Sequence, residues 1–267
     1  MEDIPNILAI AGSDSGGGAG IQADLKSASA LGVYAATAIT AITAQNTRSV
    51  DAVAMIAPEM VRAQIRSVLS DLRIDAVKIG MLGTAELAQT VADALVDYAG
   101  PIVLDPVMVA KSGDALLAED AVEALITHLL PRATLLTPNL PEASRILGAT
   151  SATTESEVIA QGERLRGLGA GAVLMKGGHG AGETCVDLLI SAEGTHRIET
   201  PRLATRNTHG TGCSLSSAIA AGLAQGRPLP EAVDRAQAWL HGAIRAADRL
   251  SVGSGHGPVH HFHGVWS

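Results

Sequence analysis

Aromatic residues are almost missing from this sequence: two Trp, two Tyr and one Phe are all it has in 267 residues. Tyr34, Tyr98, Trp239, Phe262 and Trp266 are too few and too scattered to build stacking platforms for single-stranded nucleic acid. Basic residues are also short, 19 against 27 acidic ones, and the formal net charge of −8 repels phosphate backbones and anionic lipid surfaces. This argues against a nucleic-acid or membrane-surface binder. Cys185 and Cys213 are the only thiols, with no Cys-x-x-Cys pair, so neither a disulfide framework nor a cysteine metal centre is expected. The acidic start Met1-Glu2-Asp3-Ile4-Pro5 lacks the basic region of a signal peptide. The long uncharged stretch 27–47 is interrupted by Gly32, Thr37, Gln45 and Asn46. The expectation is a cytoplasmic protein without a membrane span.

What the chain does have is aliphatic material: 47% of its residues are hydrophobic. Short apolar runs alternate with longer amphipathic segments, the pattern of an α/β fold with a mainly parallel central sheet covered by helices on both faces. Strands are expected at 7–11, 33–42, 52–56, 76–79, 102–104, 135–137, 172–175, 186–191 and 196–199. Helices are expected near 18–31, 58–72, 84–99, 119–130, 139–147, 155–168, 212–226 and 229–250. The last two strands flank Glu193-Gly194 and read as a hairpin, hence a small antiparallel edge. No linker, charge block or repeat divides the chain, so residues 1–267 are read as a single domain.

Several strand ends carry residues suited to chemistry, where an open α/β sheet binds its ligands. Gly12-Ser13-Asp14-Ser15-Gly16-Gly17-Gly18-Ala19-Gly20 follows the first strand and lets backbone N–H groups approach a ligand. It is not a nicotinamide fingerprint, because no acid follows at the ribose distance, and it lacks the Gly-Lys-Ser/Thr ending of a P-loop. Gly210-Thr211-Gly212 before a small-residue helix offers bare amides to an anion, and Cys213 in the first turn would have its thiolate favoured. A buried small hydrophobe is the plain alternative for Cys213. Asn139-Leu140-Pro141-Glu142 suits Mg²⁺ or an ordinary helix start; Lys176-Gly177-Gly178-His179-Gly180 suits a phosphate. Asp105, in Leu104-Asp105-Pro106-Val107-Met108 ahead of Ala110-Lys111-Ser112-Gly113-Asp114, suits a cation. His256, His260, His261 and His263 invite a metal reading, but no carboxylate or cysteine is interleaved and the Gly and Pro spacing would scatter them.

Taken in order, these segments stop being independent. Ala11-Gly12-Ser13-Asp14 with Gly17-Gly18-Ala19-Gly20-Ile21-Gln22-Ala23-Asp24, Thr43-Ala44-Gln45-Asn46-Thr47, Lys78-Ile79-Gly80-Met81-Leu82 and Leu104-Asp105-Pro106-Val107-Met108 belong to the series. Thr137-Pro138-Asn139-Leu140-Pro141-Glu142, Lys176-Gly177-Gly178-His179 and Asn207-Thr208-His209-Gly210-Thr211-Gly212-Cys213 complete it. Together they closely resemble the bacterial hydroxymethylpyrimidine/phosphomethylpyrimidine kinase family of thiamine biosynthesis, from about residue 5 into the tail Gly257-Pro258-Val259-His260-His261-Phe262.

The resemblance implies a ribokinase-like fold and two ATP- and Mg²⁺-dependent phosphorylations, first of 4-amino-5-hydroxymethyl-2-methylpyrimidine and then of its monophosphate. It also implies a homodimer. By the same resemblance, Gln45, Gly12, Ala19, Asp24, Met81 and Val107 hold the pyrimidine. Gly210, Thr211, Gly212 and Cys213 form the anion hole, with Cys213 the candidate base where sugar-kinase relatives have aspartate. Lys176, Asn139 and Thr208 face the nucleotide, and Asp105 and Glu142 organise Mg²⁺. Two positions depart from the pattern. Ser15-Gly16 stands where members usually read Pro-Ser, which implies a looser loop, and Gln237 stands where lysine is common. The competing readings are a pyridoxal kinase of the same family and, in a different class, a non-catalytic pyrimidine or nucleotide sensor.

Overall fold

The computed structural model describes residues 3–108, 119–178 and 182–266. Its centre is a nine-stranded sheet in the order β3-β2-β1-β4-β5-β6-β7-β8-β9. The strands are β1 Asn6–Asp14, β2 Tyr34–Gln45, β3 Val50–Met55, β4 Ala76–Ile79, β5 Ile102–Leu104, β6 Leu135–Leu136, β7 Ala172–Met175, β8 Thr184–Ser191 and β9 Gly194–Pro201. From β2 through β7 every pairing is parallel. The sheet is antiparallel at both edges: the expected hairpin β8–β9 closes one, and β3 folds back on β2 at the other.

The helices are α1 Gly20–Ala30, α2 Pro58–Asp71, α3 Ala85–Ala94, α4 Glu119–Ala124, α5 Leu140–Ile146, α6 Glu155–Gly167, α7 Thr211–Ala224 and α8 Leu229–Arg245. Alternation along the strands sends successive side chains to opposite faces. Leu8, Ile10, Val77, Ile79, Leu104 and Met175 pack under α2, α3, α4 and α6. Ile7, Ala76, Val103, Leu135 and Leu174 pack under α1, α7 and α8. Each fully buried Ile, Leu or Val contributes about 1.5–3 kcal/mol, so the two layers together outweigh any single polar contact. Gly222 on α7 lies so close to α8 that an added Cβ would sit 2.9 Å from that of Ala232.

Some boundaries differ from the sequence expectation for identifiable reasons. β1 runs on through Gly12-Ser13-Asp14, because the longer β2 stays beside it and pairs Ser13 with Ile42 and Asp14 with Thr43 after a bulge. α3 stops at Ala94 rather than near 99, and in the turn that follows it the carbonyls of Leu95, Val96 and Tyr98 accept from the guanidinium of Arg132. α4 gives way after Ala124 to a π turn and a 3₁₀ turn containing Pro131, which cannot continue an α-helix.

The histidine-rich tail packs against this framework. Among the described residues, no group of three or more His, Cys, Asp or Glu gathers as a metal site. His261 instead meets the hydroxyl of Ser214 on α7 at 2.9 Å, and burial pushes its pKa down to about 3 from the usual 6.5. The native ring thus stays neutral where the unfolded ring takes a proton. Stability from this group is complete above about pH 6.5 and falls on acidification toward 3, by about 1.4 kcal/mol per pH unit. Urea unfolding at a series of pH values should show His261→Asn losing less stability than the parent between neutral and mildly acidic pH; equal slopes would contradict this.

Candidate active site

The site lies at the carboxyl ends of the parallel strands and is assembled from two glycine-rich loops. In the first, the carboxylate of Asp14 organises the turn. Oδ1 accepts the N–H of Gly16 at 2.8 Å; Oδ2 accepts those of Gly18 at 3.0 Å and Ala19 at 2.8 Å and meets Nε2 of His209 at 2.9 Å. Burial alone would raise the Asp14 pKa, but His209 and the backbone N–H groups hold it below the usual carboxylate value. His209 belongs to the second loop, so one carboxylate ties the two together. The fit requires glycine: Gly210 has φ +79, and a Cβ there would overlap the Gly18 carbonyl.

At Ser15-Gly16, where the resemblance implies a looser loop, the turn is tied to a neighbouring strand. The Ser15 hydroxyl donates to the Gln45 carbonyl at 2.7 Å and accepts the Gln45 N–H at 2.8 Å, which clasps the turn to the end of β2.

Between the loops is a small cavity. Gly12, Ala19, Gln45, Met81 and Val107, the residues the resemblance assigns to the pyrimidine, line it, joined by Cys213, Asp14 and Thr43. The Gln45 amide is oriented at its oxygen, where the Thr43 hydroxyl donates to Oε1 at 3.2 Å, while its Nε2, 3.5 Å from the His209 ring nitrogen that donates to Asp14, keeps its hydrogens for a ligand. A flat apolar slot with an oriented amide at its edge suits a small heteroaromatic ring. Asp24 corrects the expectation. It has no exposed surface and is not among the lining residues; its carboxylate is consumed by Lys78 at 2.8 and 3.0 Å and by the Ser217 hydroxyl at 2.7 Å. In this structure Asp24 is therefore the buried partner of Lys78 and Ser217 rather than a lining residue of the cavity.

Beside the cavity, α7 begins. Gly210 is its N-cap in the left-handed conformation and no side chain caps the turn, so the helix N-terminus presents its amides and the positive end of its dipole. A Cβ on Gly212 would stand 3.5 Å from Lys176 Nζ and 3.6 Å from Asp105 Oδ2. The anion hole, the lysine and the carboxylate are thus one cluster. Lys176, just beyond β7, pairs with Asp105 at 2.9 Å and approaches Glu142 at 4.0 Å. Asp105, just beyond β5, also accepts the hydroxyl of Thr137 at 3.1 Å and that of Ser216 at 3.4 Å. Burial would raise its pKa, but Lys176 and Lys78 pull it below the usual value. For Glu142 burial wins and the pKa is raised.

Asn139 and Glu142 form a reciprocal capping box on α5, each at 2.8 Å: the Asn139 side-chain oxygen accepts the Glu142 N–H and the Glu142 carboxylate accepts the Asn139 backbone N–H, which leaves the Asn139 NH2 outside the cap. Thr208 shapes the turn before α7 by accepting the Thr211 N–H at 3.4 Å. Asp105 and Glu142 converge on one ammonium with only oxygen donors around them. That set suits Mg²⁺ held by one or two carboxylates together with substrate phosphates, rather than an all-protein cage.

Cys213 also departs from expectation. The helix N-terminus was expected to favour its thiolate, yet burial dominates and pushes the thiol up to about 11, only partly offset by Lys78 and by the Gly20 N–H on its sulfur. Gln237, where a lysine was noted as common, bonds to Asp187, whose other oxygen accepts the Gly177 N–H at 2.6 Å. Residues 110–114, His179 and Gly180 lie outside the described residues.

Sequence reasoning did not single out Asp14, His209 or Lys78. The last left a trace, a lone charge in the otherwise apolar strand Ala76-Val77-Lys78-Ile79.

Comparison with known proteins bears on this geometry. The family model described as phosphomethylpyrimidine kinase matches residues 14–260. The chain belongs to the phosphomethylpyrimidine kinase family. It is 58% identical over 259 residues to the hydroxymethylpyrimidine/phosphomethylpyrimidine kinase of Rhizobium meliloti, covering 97% of each chain. Among solved structures, it resembles the phosphomethylpyrimidine kinase of Clostridium difficile with a TM-score of 0.80 and 42% identity, over 91% of this chain and 100% of that one. It also resembles the ADP complex of Bacillus subtilis pyridoxal kinase with a TM-score of 0.89 and 35% identity, over 97% and 98% of the two chains. The fold is accordingly the ribokinase-like α/β fold of this family.

Proposed function

We propose that this protein transfers the γ-phosphoryl group of ATP to the hydroxymethyl group of 4-amino-5-hydroxymethyl-2-methylpyrimidine, and in a second turnover to the resulting monophosphate, in thiamine biosynthesis. The observation that carries the proposal is the joining of the Gln45 slot to the α7 anion hole through Cys213, with Lys176 beside Gly212. In each transfer the bond from the γ-phosphorus to its bridging oxygen breaks and a bond to the acceptor oxygen forms. Little covalent help is needed, so placement and charge neutralisation do the catalysis. Gln45 orients the ring; Gly210, Thr211 and Gly212 receive the transferred group; Lys176 neutralises nucleotide phosphate. Asp105 and Glu142 would hold Mg²⁺, which when bound draws charge off the phosphates.

The acceptor proton goes to the Cys213 sulfur. With the thiol at about 11 the thiolate is a minor species at neutral pH, so kcat should rise with pH, approaching tenfold per unit, between about pH 7 and 9. Cys213→Ala should lower kcat far more than it raises KM and flatten that profile. A wild-type kcat independent of pH over this range would remove the base role.

Pyridoxal, another ring bearing a hydroxymethyl group, is the second reading, favoured by the likeness to the Bacillus subtilis enzyme. Competition between pyridoxal and the pyrimidine for a fixed amount of enzyme decides it: kcat/KM should favour the pyrimidine, and a preference for pyridoxal would reassign the slot. A sensor would need no lysine, carboxylates and anion hole gathered at one transfer point.

A second copy of the chain is the partner we propose for the β3 edge, where Val53 and Met55 stand 44% and 38% exposed on a strand that ends the sheet. The cytoplasm is the proposed location, and among the described residues no helix is long and apolar enough to cross a membrane.

A further inference from the structure

Beneath the anion hole is a charged pair to which the chemistry above gives no step of its own. Lys78 on β4 and Asp24 on α1 are both without exposed surface and 2.8 Å apart. Room for the ammonium is left by Gly80, where a Cβ would lie 2.8 Å from Lys78 Nζ. Such a pair is poor value as a stabiliser, since well-packed apolar side chains usually serve as well. What it does provide is direction. The Ser217 hydroxyl on α7 donates to Asp24 Oδ1 at 2.7 Å. Ser217 is one helical turn beyond Cys213 and on the same face, and the Cys213 sulfur in turn accepts the N–H of Gly20, the first residue of α1. α1 and α7 are therefore joined twice along one line, at the site and one turn behind it.

We infer that Lys78, Asp24 and Ser217 form a buried clamp that sets the first turn of α7 against the acceptor pocket, which makes Asp24 and Ser217 positioning residues for phosphoryl transfer. The inference rests on the kinase reading above. Lys78 locks the Asp24 carboxylate with two contacts, at 2.8 and 3.0 Å, and Asp24 holds α7 through Ser217. The Gly212 amide and the Cys213 sulfur then keep their distance from a ring seated against Gly12 and Gln45. In-line transfer is sensitive to that distance, and a displacement of about 1 Å can cost up to a hundredfold in rate.

Ser217→Ala removes the tether and leaves the ion pair. The expected result is a kcat lower by about tenfold, with the acceptor KM within about twofold and thermal unfolding nearly unchanged. In a Cys185→Ser background, iodoacetamide should label Cys213 several-fold faster in this variant, because the contact between Gly20 and the sulfur is loosened. That readout needs no substrate, so it tests the clamp even if neither pyrimidine is turned over. The double variant Lys78→Met/Asp24→Leu keeps the core filled but also takes the Lys78 charge away from Asp105 and Cys213, so its kcat should fall at least as far as that of Ser217→Ala. Folded Ser217→Ala with parental kcat and labelling rate would overturn the clamp, as would a double variant with parental kcat.

Discussion

Gly212→Asp should abolish turnover while leaving the protein folded. A Cβ at this position meets nothing closer than Lys176 Nζ at 3.5 Å and Asp105 Oδ2 at 3.6 Å, both ordinary contact distances, so a side chain fits. What it brings is a negative charge at the mouth of the helix N-terminus and beside Lys176. Losing a single anion-hole donor typically costs about 10²–10³ in kcat, and here the hole is both blocked and reversed in sign, so a loss of at least about 10³ is expected. Steady-state kinetics together with thermal unfolding check it: near-parental kcat in the folded variant would mean that the phosphoryl group does not bind at residues 210–213.

Lys176→Met should be nearly as damaging, with kcat/KM for ATP lower by about 10²–10³. Its ammonium holds Asp105 at 2.9 Å and stands 4.0 Å from Glu142. Removing it leaves two buried carboxylates facing each other, and breaking a buried pair from one side costs about 3–5 kcal/mol of stability. Urea unfolding should therefore show a destabilised but folded variant, and raised Mg²⁺ should restore part of the stability by replacing the missing positive charge between the carboxylates. A variant keeping more than about a tenth of parental kcat/KM would place the nucleotide phosphates elsewhere.

These two residues were legible in the sequence because each sits in a glycine-bearing motif at a strand end, where local order and chemistry coincide. The strand frame was legible for a similar reason: Ala76–Ile79 and Ile102–Leu104 are apolar runs bounded by turn residues, and they fold with the bounds read from the pattern. What escaped depended on partners far apart in the chain. Gly12-Ser13-Asp14 reads as loop and becomes strand because β2 runs alongside. Asp24 matches a pocket motif, yet its partner is Lys78, 54 residues away, and that pairing takes it out of the pocket. For Cys213 the local argument from the helix N-terminus was sound but incomplete, since the depth of the thiol outweighs the dipole. His209 lay inside a motif already noted, but its meeting with Asp14, 195 residues away, could be seen only in the folded chain.

The central claim is that one pocket performs both transfers, and product mass over time tests it most directly. With ATP, Mg²⁺ and 4-amino-5-hydroxymethyl-2-methylpyrimidine, the substrate should gain one phosphoryl group and then a second, the monophosphate rising before the diphosphate. Gly212→Asp should produce neither. A wild-type protein that leaves both the pyrimidine and added monophosphate unchanged while ATP is intact would contradict the account.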